Sequence, residues 1–258
     1  MRRTIGLFLA MAVLLMPALL LAQNPPAGAP AGAARGPAGP AAPANQPLAR
    51  DDNRHKGFLE IAKKGDIDLL FVGDSITDWF ANPRGQQPAT GIEVWNANFA
   101  PLKAANFGIA GDTTQGVLWR MQNGELEGFK AKLIVLMLGT NNINRNPVDD
   151  IVDGDRLIIE EFKKRQPQAK VLVLGVFPRN GRQPDQTAGL RATITEINSK
   201  LAKLADNKQV FYTDIGPKFL AADGTLTPEI MPDGLHPSAK GYQIWADAII
   251  GQVKTLMK

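Results

Sequence analysis

Leu69-Leu-Phe-Val72 is apolar at every position, and it breaks at Gly73 to deliver Asp74 and Ser75. Such a run has no solvent face, so it fits a strand covered on both sides, as in a parallel sheet. The expectation is a buried strand over Asp68–Val72. Ser75 then sits just past its C-terminal end, the edge where open α/β sheets bind ligands. Taken alone, Gly73-Asp74-Ser75 also reads as an ordinary turn in which Ser75 caps the next helix.

Four later stretches repeat the pattern. Ala104–Phe107 ends in Gly108-Ile-Ala-Gly111-Asp-Thr-Thr114, where Thr113 or Thr114 is placed to cap a helix through Val117, Leu118 and Met121. Leu133–Leu138 ends in Gly139-Thr140-Asn141-Asn142, and Lys170–Leu174 ends at Gly175. Gln209–Thr213 leads through Asp214 to a Pro- and Gly-rich loop containing Met231-Pro-Asp233-Gly-Leu-His236-Pro237. Helical periodicity fills the gaps. Phe58, Ile61 and Ala62 share one side of residues 51–64, with His55 among polar neighbours and expected at the surface. Ile151, Ile158 and Phe162 form a second stripe, and Leu190, Ile194, Ile197, Leu201 and Leu204 a third over residues 187–205. Trp245, Ile249, Val253 and Leu256 follow a Ser238 cap. The region after Ser75, with Pro83 and Gly85, is less regular. Strands alternating with helices predict an α/β chain: a single-domain, flavodoxin-like three-layer sandwich with a mostly parallel five-stranded sheet.

The N-terminus differs. Arg2 and Arg3 precede an apolar segment from Ile5 to Leu21, then Ala22-Gln23. That order predicts a secretory signal peptide over residues 1–22, with a retained single-pass anchor as the alternative. Residues 23–50 are mostly Ala, Pro and Gly, and predict an unstructured linker to a single domain at 51–258. Residues 1–50 hold four arginines and no acid; removing those four from 29 basic residues leaves 25, against 25 acidic ones. The domain is formally neutral, which argues against a nucleic-acid face. Export places the protein in a periplasm or outside the cell, with no stable membrane span after cleavage. No cysteine is present, so the core alone must hold the domain.

Ser75, Gly111, Asn141 and the pair Asp233 and His236 all follow strands, so a parallel sheet brings them to one edge. Asp233 lies three residues before His236 in a Pro-flanked turn, a spacing that lets a carboxylate accept from Nδ1 while Nε2 faces a hydroxyl. The plainer readings are a loop histidine packed on Pro237 and an Asx turn at Asn141. No metal is expected. The two histidines lie 181 positions apart and no cation loop is recognisable. Gly108-x-x-Gly111 lacks the first glycine of a dinucleotide fingerprint, so no cofactor is expected either.

In order, Gly73-Asp74-Ser75, Asn106-x-Gly108-x-x-Gly111, Gly139-x-Asn141 and Asp233-x-x-His236 resemble the four blocks of the SGNH hydrolase, or GDSL esterase, family. The likeness runs from about residue 54 onward and is greatest to the platelet-activating-factor acetylhydrolase catalytic-subunit type. It includes Val117-Leu-Trp-Arg120, Asn123-Gly-Glu-Leu-Glu127 and Arg165-Gln-Pro-Gln-Ala-Lys170. Ile76 stands where the family has Leu, and Asn142 where many members have Asp. The resemblance implies the SGNH hydrolase fold and a serine carboxylic-ester hydrolase without cofactor. Its nucleophile would be Ser75, its base His236 and its orienting acid Asp233. The oxyanion hole would comprise the N–H groups of Ser75 and Gly111 and the amide of Asn141. Short loops favour acetyl over long acyl groups. The substrate would be an acetylated carbohydrate or a small lipid-like ester, and likeness to a dimer-forming family allows a homodimer. Trp79, Phe80, Trp95 and Trp119 are available either to stack on sugars or to pack. A tethered, non-catalytic glycan- or surface-binding domain that kept the fold is the alternative.

Overall fold

The computed structural model describes residues 42–87 and 89–258. The signal peptide expected over 1–22 and the first part of the linker lie outside the described residues. Five strands, β1 (Leu69–Gly73), β2 (Ala104–Gly108), β3 (Leu133–Met137), β4 (Lys170–Leu174) and β5 (Val210–Thr213), form one sheet in the order β2-β1-β3-β4-β5. Every pairing is parallel, with Leu69 opposite both Ala104 and Leu133.

Alternation along each strand splits the core in two. Leu70, Val72, Ile134, Leu136, Val171 and Val173 point to one face. There they meet α1 (Asn53–Lys63), α4 (Thr114–Gln122) and α5 (Val148–Arg165). Leu69, Phe71, Leu133, Val135, Leu172 and Leu174 point to the other, against α2 (Ser75–Ala81), α3 (Ile92–Asn98) and α7 (Ala239–Leu256). A third cluster joins α5 to α6 (Gln186–Leu201) through Ile151, Leu190, Ile194 and Ile197. This is the three-layer α/β sandwich expected. Local chemistry agrees with it: α5 carries Asp149 and Asp150 in its first turn and Lys163, Lys164 and Arg165 in its last, matching the helix dipole. Among the described residues, no helix is long and apolar enough to cross a membrane.

Glycine at the end of β2 has a packing reason. A Cβ on Gly108 would fall 2.3 Å from the backbone N of Asp78, so only glycine lets α2 lie this close to the sheet edge.

The structure departs from the sequence expectations in three places. Residues 42–50, expected to belong to the linker, are seated on the domain: Ala44 is fully buried, and its carbonyl accepts from Thr114 Oγ1 at 2.7 Å. Gln115 Nε2 reaches the carbonyl of Ala42, and Leu48 N–H donates to that of Gln115. Small residues and a hydrogen-bonding backbone do here what large side chains do elsewhere. His55 is buried, 3 % exposed, with Nδ1 at 2.8 Å from Glu125 Oε1, whereas Ile61 of the same helix is exposed. The region after Ser75 holds two seven-residue helices, α2 and α3, too short to show a stripe. Of the aromatics offered for stacking or packing, Phe80 and Trp95 pack: with Phe99 and Trp245 they surround the ring of Phe71, at centroid distances of 5.0–6.5 Å.

Phe71 is the hub of that cluster and fully buried. Phe71→Ala should cost about 3–5 kcal/mol, read as a lower urea midpoint at unchanged slope. A cost below about 1 kcal/mol would contradict the packing described.

Candidate active site

Ser75 begins α2 directly after β1, and the side chain of Asp74 caps that helix by accepting from Ile76 N–H at 2.9 Å. Ser75 is 5 % exposed, with Oγ 2.9 Å from His236 Nε2. The histidine arrives from the loop between β5 and α7. Asp233 Oδ2 lies 2.6 Å from His236 Nδ1, and its Oδ1 accepts from the N–H groups of Leu235 (3.0 Å) and His236 (2.7 Å). Burial pushes the Asp233 carboxyl up, but the bonds from the His236 ring and the two N–H groups outweigh it, holding the group below the usual carboxylate range. Asp233 is therefore ionised where an imidazole would gain a proton. The Trp79 ring lies 4.0 Å from the His236 ring, and the Arg84 guanidinium sits 3.6 Å over Trp79.

Gly111 lies on the loop after β2 with φ +77°, and a Cβ there would meet nothing within 4 Å, so its face is open. The flanking N–H groups are engaged, Ala110 with Asp78 Oδ2 and Asp112 with the Ile109 carbonyl. Asn141 follows β3, and its Nδ2 donates to the Asp112 carbonyl at 2.8 Å, tying the two loops together. Ser75 N–H is one of the unpaired donors of a helix N-terminus. Serine, imidazole and carboxylate thus form a hydrogen-bonded chain, and Gly111 and Asn141 lie on adjoining loops of the same edge. Such a set is suited to acyl transfer.

Several residues support the site without having been assigned a role from the sequence. Arg120 is fully buried and donates from Nε to Asp112 Oδ2 at 2.9 Å, from Nη1 to Glu125 and from Nη2 to the Phe107 carbonyl. His55 completes the cluster through Glu125. Asn142, the departure from the family pattern, accepts from Thr114 N–H and donates to Gln115 Oε1, so it fastens the β3 loop to α4. Among the described residues, no group of three His, Cys, Asp or Glu could hold a metal.

Asp74, adjacent to Ser75, carries a strongly perturbed carboxyl. Burial pushes it up to about 7, the Ile76 N–H opposes that, and the Asp112 charge adds to it. Burial, then the charge of Asp74, lift Asp155 well above the carboxylate range. Asp74 Oδ2 and both Asp155 oxygens find no partner among the described residues.

Residues 71–244 match the GDSL-like Lipase/Acylhydrolase family. The platelet-activating factor acetylhydrolase IB subunit alpha2 of Homo sapiens is 41 % identical over 191 residues, covering 74 % of this chain and 77 % of that one. A GDSL-like lipase from Bacteroides thetaiotaomicron superposes with a TM-score of 0.61 at 19 % identity, over 78 % of this chain and 97 % of its own. An acetylxylan esterase from Geobacillus stearothermophilus does so at 0.58 and 22 %, over 74 % and 96 %.

A pH prediction follows from Asp74. Its folded pKa of about 7 lies above the ordinary 3.8, so between those values the native chain keeps a proton that the unfolded chain releases. The burial costs nothing below the lower value, and stability is lost as pH rises to the upper one. Asp74→Asn keeps a capping side chain, and should make the fall in unfolding free energy between about pH 4 and 7 shallower, by up to ~1.4 kcal/mol per pH unit. Identical slopes in both proteins would contradict the assignment.

Proposed function

Because this chain belongs to the GDSL-like lipase/acylhydrolase family, and so is a carboxylic-ester hydrolase, we propose that it is an exported serine esterase for short-acyl, chiefly acetyl, esters. One observation carries the mechanism: the chain of hydrogen bonds from Ser75 Oγ to His236 Nε2 (2.9 Å) and from His236 Nδ1 to Asp233 Oδ2 (2.6 Å).

Ser75 Oγ attacks the ester carbonyl as His236 Nε2 takes its proton, and the ionised Asp233 stabilises the imidazolium. The tetrahedral oxyanion is received by the N–H groups of Ser75 and Gly111 and by Nδ2 of Asn141. These donors are set beforehand by the α2 N-terminus, the open turn at Gly111 and the Asn141 bond to Asp112. The carbon–oxygen bond to the leaving alcohol then breaks and His236 returns the proton to that alcohol. Water attacks the acyl-Ser75 ester by the same route and frees the acid.

Acetyl specificity is supported by the names of two similar proteins, an acetylhydrolase and an acetylxylan esterase. The alcohol half is proposed to be a carbohydrate or a small lipid-like molecule. Export rests on the basic, apolar and small-residue order of residues 1–22.

Release of 4-nitrophenol from acetate, butyrate and octanoate esters tests this reading. Rates should fall with acyl length, and Ser75→Ala should abolish turnover. An octanoate rate above the acetate rate would refute the short-acyl claim, and undiminished turnover by Ser75→Ala the nucleophile. Asn141→Ala gives a graded result: loss of one oxyanion donor should lower kcat by about a hundredfold or more with KM little changed.

A further inference from the structure

A cleft of about 410 Å³ opens beside the proposed oxyanion hole, with Gly111 and Asn141 in its wall. Its other polar lining includes Thr140 and three arginines, Arg145, Arg179 and Arg182, and no carboxylate lines it. From this geometry we infer that the cleft is a subsite for an anionic oxyacid group carried by the substrate, read by Arg145, Arg179 and Arg182. The inference deepens the esterase reading and rests on it. An acetyl group has no charge, so the anion must belong to the alcohol half. The preferred substrate is then an acetyl ester of a carboxylate- or phosphate-bearing alcohol.

The arginines are arranged for this. Arg179 is half-buried, with Nη1 donating to the Thr140 carbonyl (3.3 Å) and Thr140 Oγ1 (3.2 Å), one residue before Asn141. Its Nε is buried without a partner among the described residues. Burial and the neighbouring Arg182 charge both push its pKa down, so the two cations repel, and a bound anion would relieve that cost. Asp74 and Asp233 lie near enough to favour the Arg179 charge, yet neither lines the cleft. The loop bearing Arg179 and Arg182 is held in place: Asn180 N–H donates to the Gly234 carbonyl at 2.8 Å, and Arg191 Nη2 to Asn180 Oδ1 at 2.9 Å. The anion subsite and the His236 turn are therefore fixed to each other. Planar guanidinium groups suit carboxylate and phosphate oxygens, which bind them in a two-pronged fashion.

The test uses the full chain and two matched substrate pairs: acetylated oligogalacturonate against acetylated xylo-oligosaccharide, and 1-acetylglycerol 3-phosphate against 1-acetylglycerol. In at least one pair the anionic ester should have a kcat/KM higher by on the order of tenfold at low salt, mostly through KM, with the advantage shrinking as salt is added. The pair that shows it assigns the anion to a uronate or to a phosphate. Arg182→Glu and Arg145→Ala lie on the exposed rim, and each should reduce the ratio of anionic to neutral kcat/KM. Calorimetry with oligogalacturonate and glycerol 3-phosphate supplies a readout independent of turnover, and Arg182→Glu should weaken that binding by about tenfold. No preference in either pair together with no binding, or a preference that neither substitution moves, overturns the subsite. A wild-type chain that fails on 4-nitrophenyl acetate overturns the esterase reading, and the binding measurement then decides the subsite by itself.

Discussion

The buried guanidinium of Arg120 is the contact on which the geometry of the sheet edge rests. It lies at 0 % exposure between Asp112 and Glu125, two carboxylates that are themselves buried. Burial alone would favour the neutral arginine, but the Glu125 and Asp112 charges outweigh it and keep the group charged. Such a cluster is dear to assemble and dearer to break, because removing one partner leaves the others charged without compensation. Its position explains its use. Asp112 follows Gly111, and its carbonyl receives Asn141 Nδ2, so the ion cluster fixes the β2 loop and through it the β3 loop. His55, bonded to Glu125, extends the same anchorage to α1.

Strand order decides where those loops meet. From β1 the chain crosses to β2 on one side and then returns past β1 to β3 on the other. The helices that follow β1 and those that follow β2 consequently leave the sheet on opposite faces, and a crevice opens at the C-terminal ends of β1 and β3. Ser75 follows β1 and Asn141 follows β3, so the topology itself brings them to that crevice. His236 comes from the far end of the chain, and the Tyr242 hydroxyl secures α7 there by donating to the Ile76 carbonyl at 2.8 Å.

What the sequence disclosed and what it hid divide along physical lines. Strands such as Leu133–Met137 were legible because burial on both faces leaves no polar position in the run. The meeting of Ser75 with Asp233 and His236 was legible because a parallel sheet sends all strand ends to one edge. Residues 42–50 were not. Their fixed place depends on bonds from Thr114 and Gln115, about seventy positions away, and on Asn45 reaching Asp153 across 108. His55 misled for a related reason. Its sequence neighbours are polar, while the partner that makes its burial tolerable, Glu125, lies 70 residues on. The arginines of the cleft gave no periodic signal, since Arg145, Arg179 and Arg182 meet only through the fold.

The carboxyls of Asp74, adjacent to Ser75, and of Asp233, bonded to His236, are pushed in opposite directions, and environment alone separates them. Asp233 accepts two N–H groups and the His236 ring, which hold its carboxyl below the usual carboxylate range, as the proposed stabilisation of an imidazolium requires. Asp74 accepts one N–H, leaves its other oxygen without a partner among the described residues, and has the Asp112 charge nearby. Its negative form is disfavoured for the reason that makes this advantageous. In the proposed reaction an ionised carboxylate adjoining Ser75 would repel the oxyanion, whereas a protonated one caps α2 without opposing it. Burial with too few donors is ordinarily a cost to the fold. Here it keeps negative charge away from the place where the proposed oxyanion would develop.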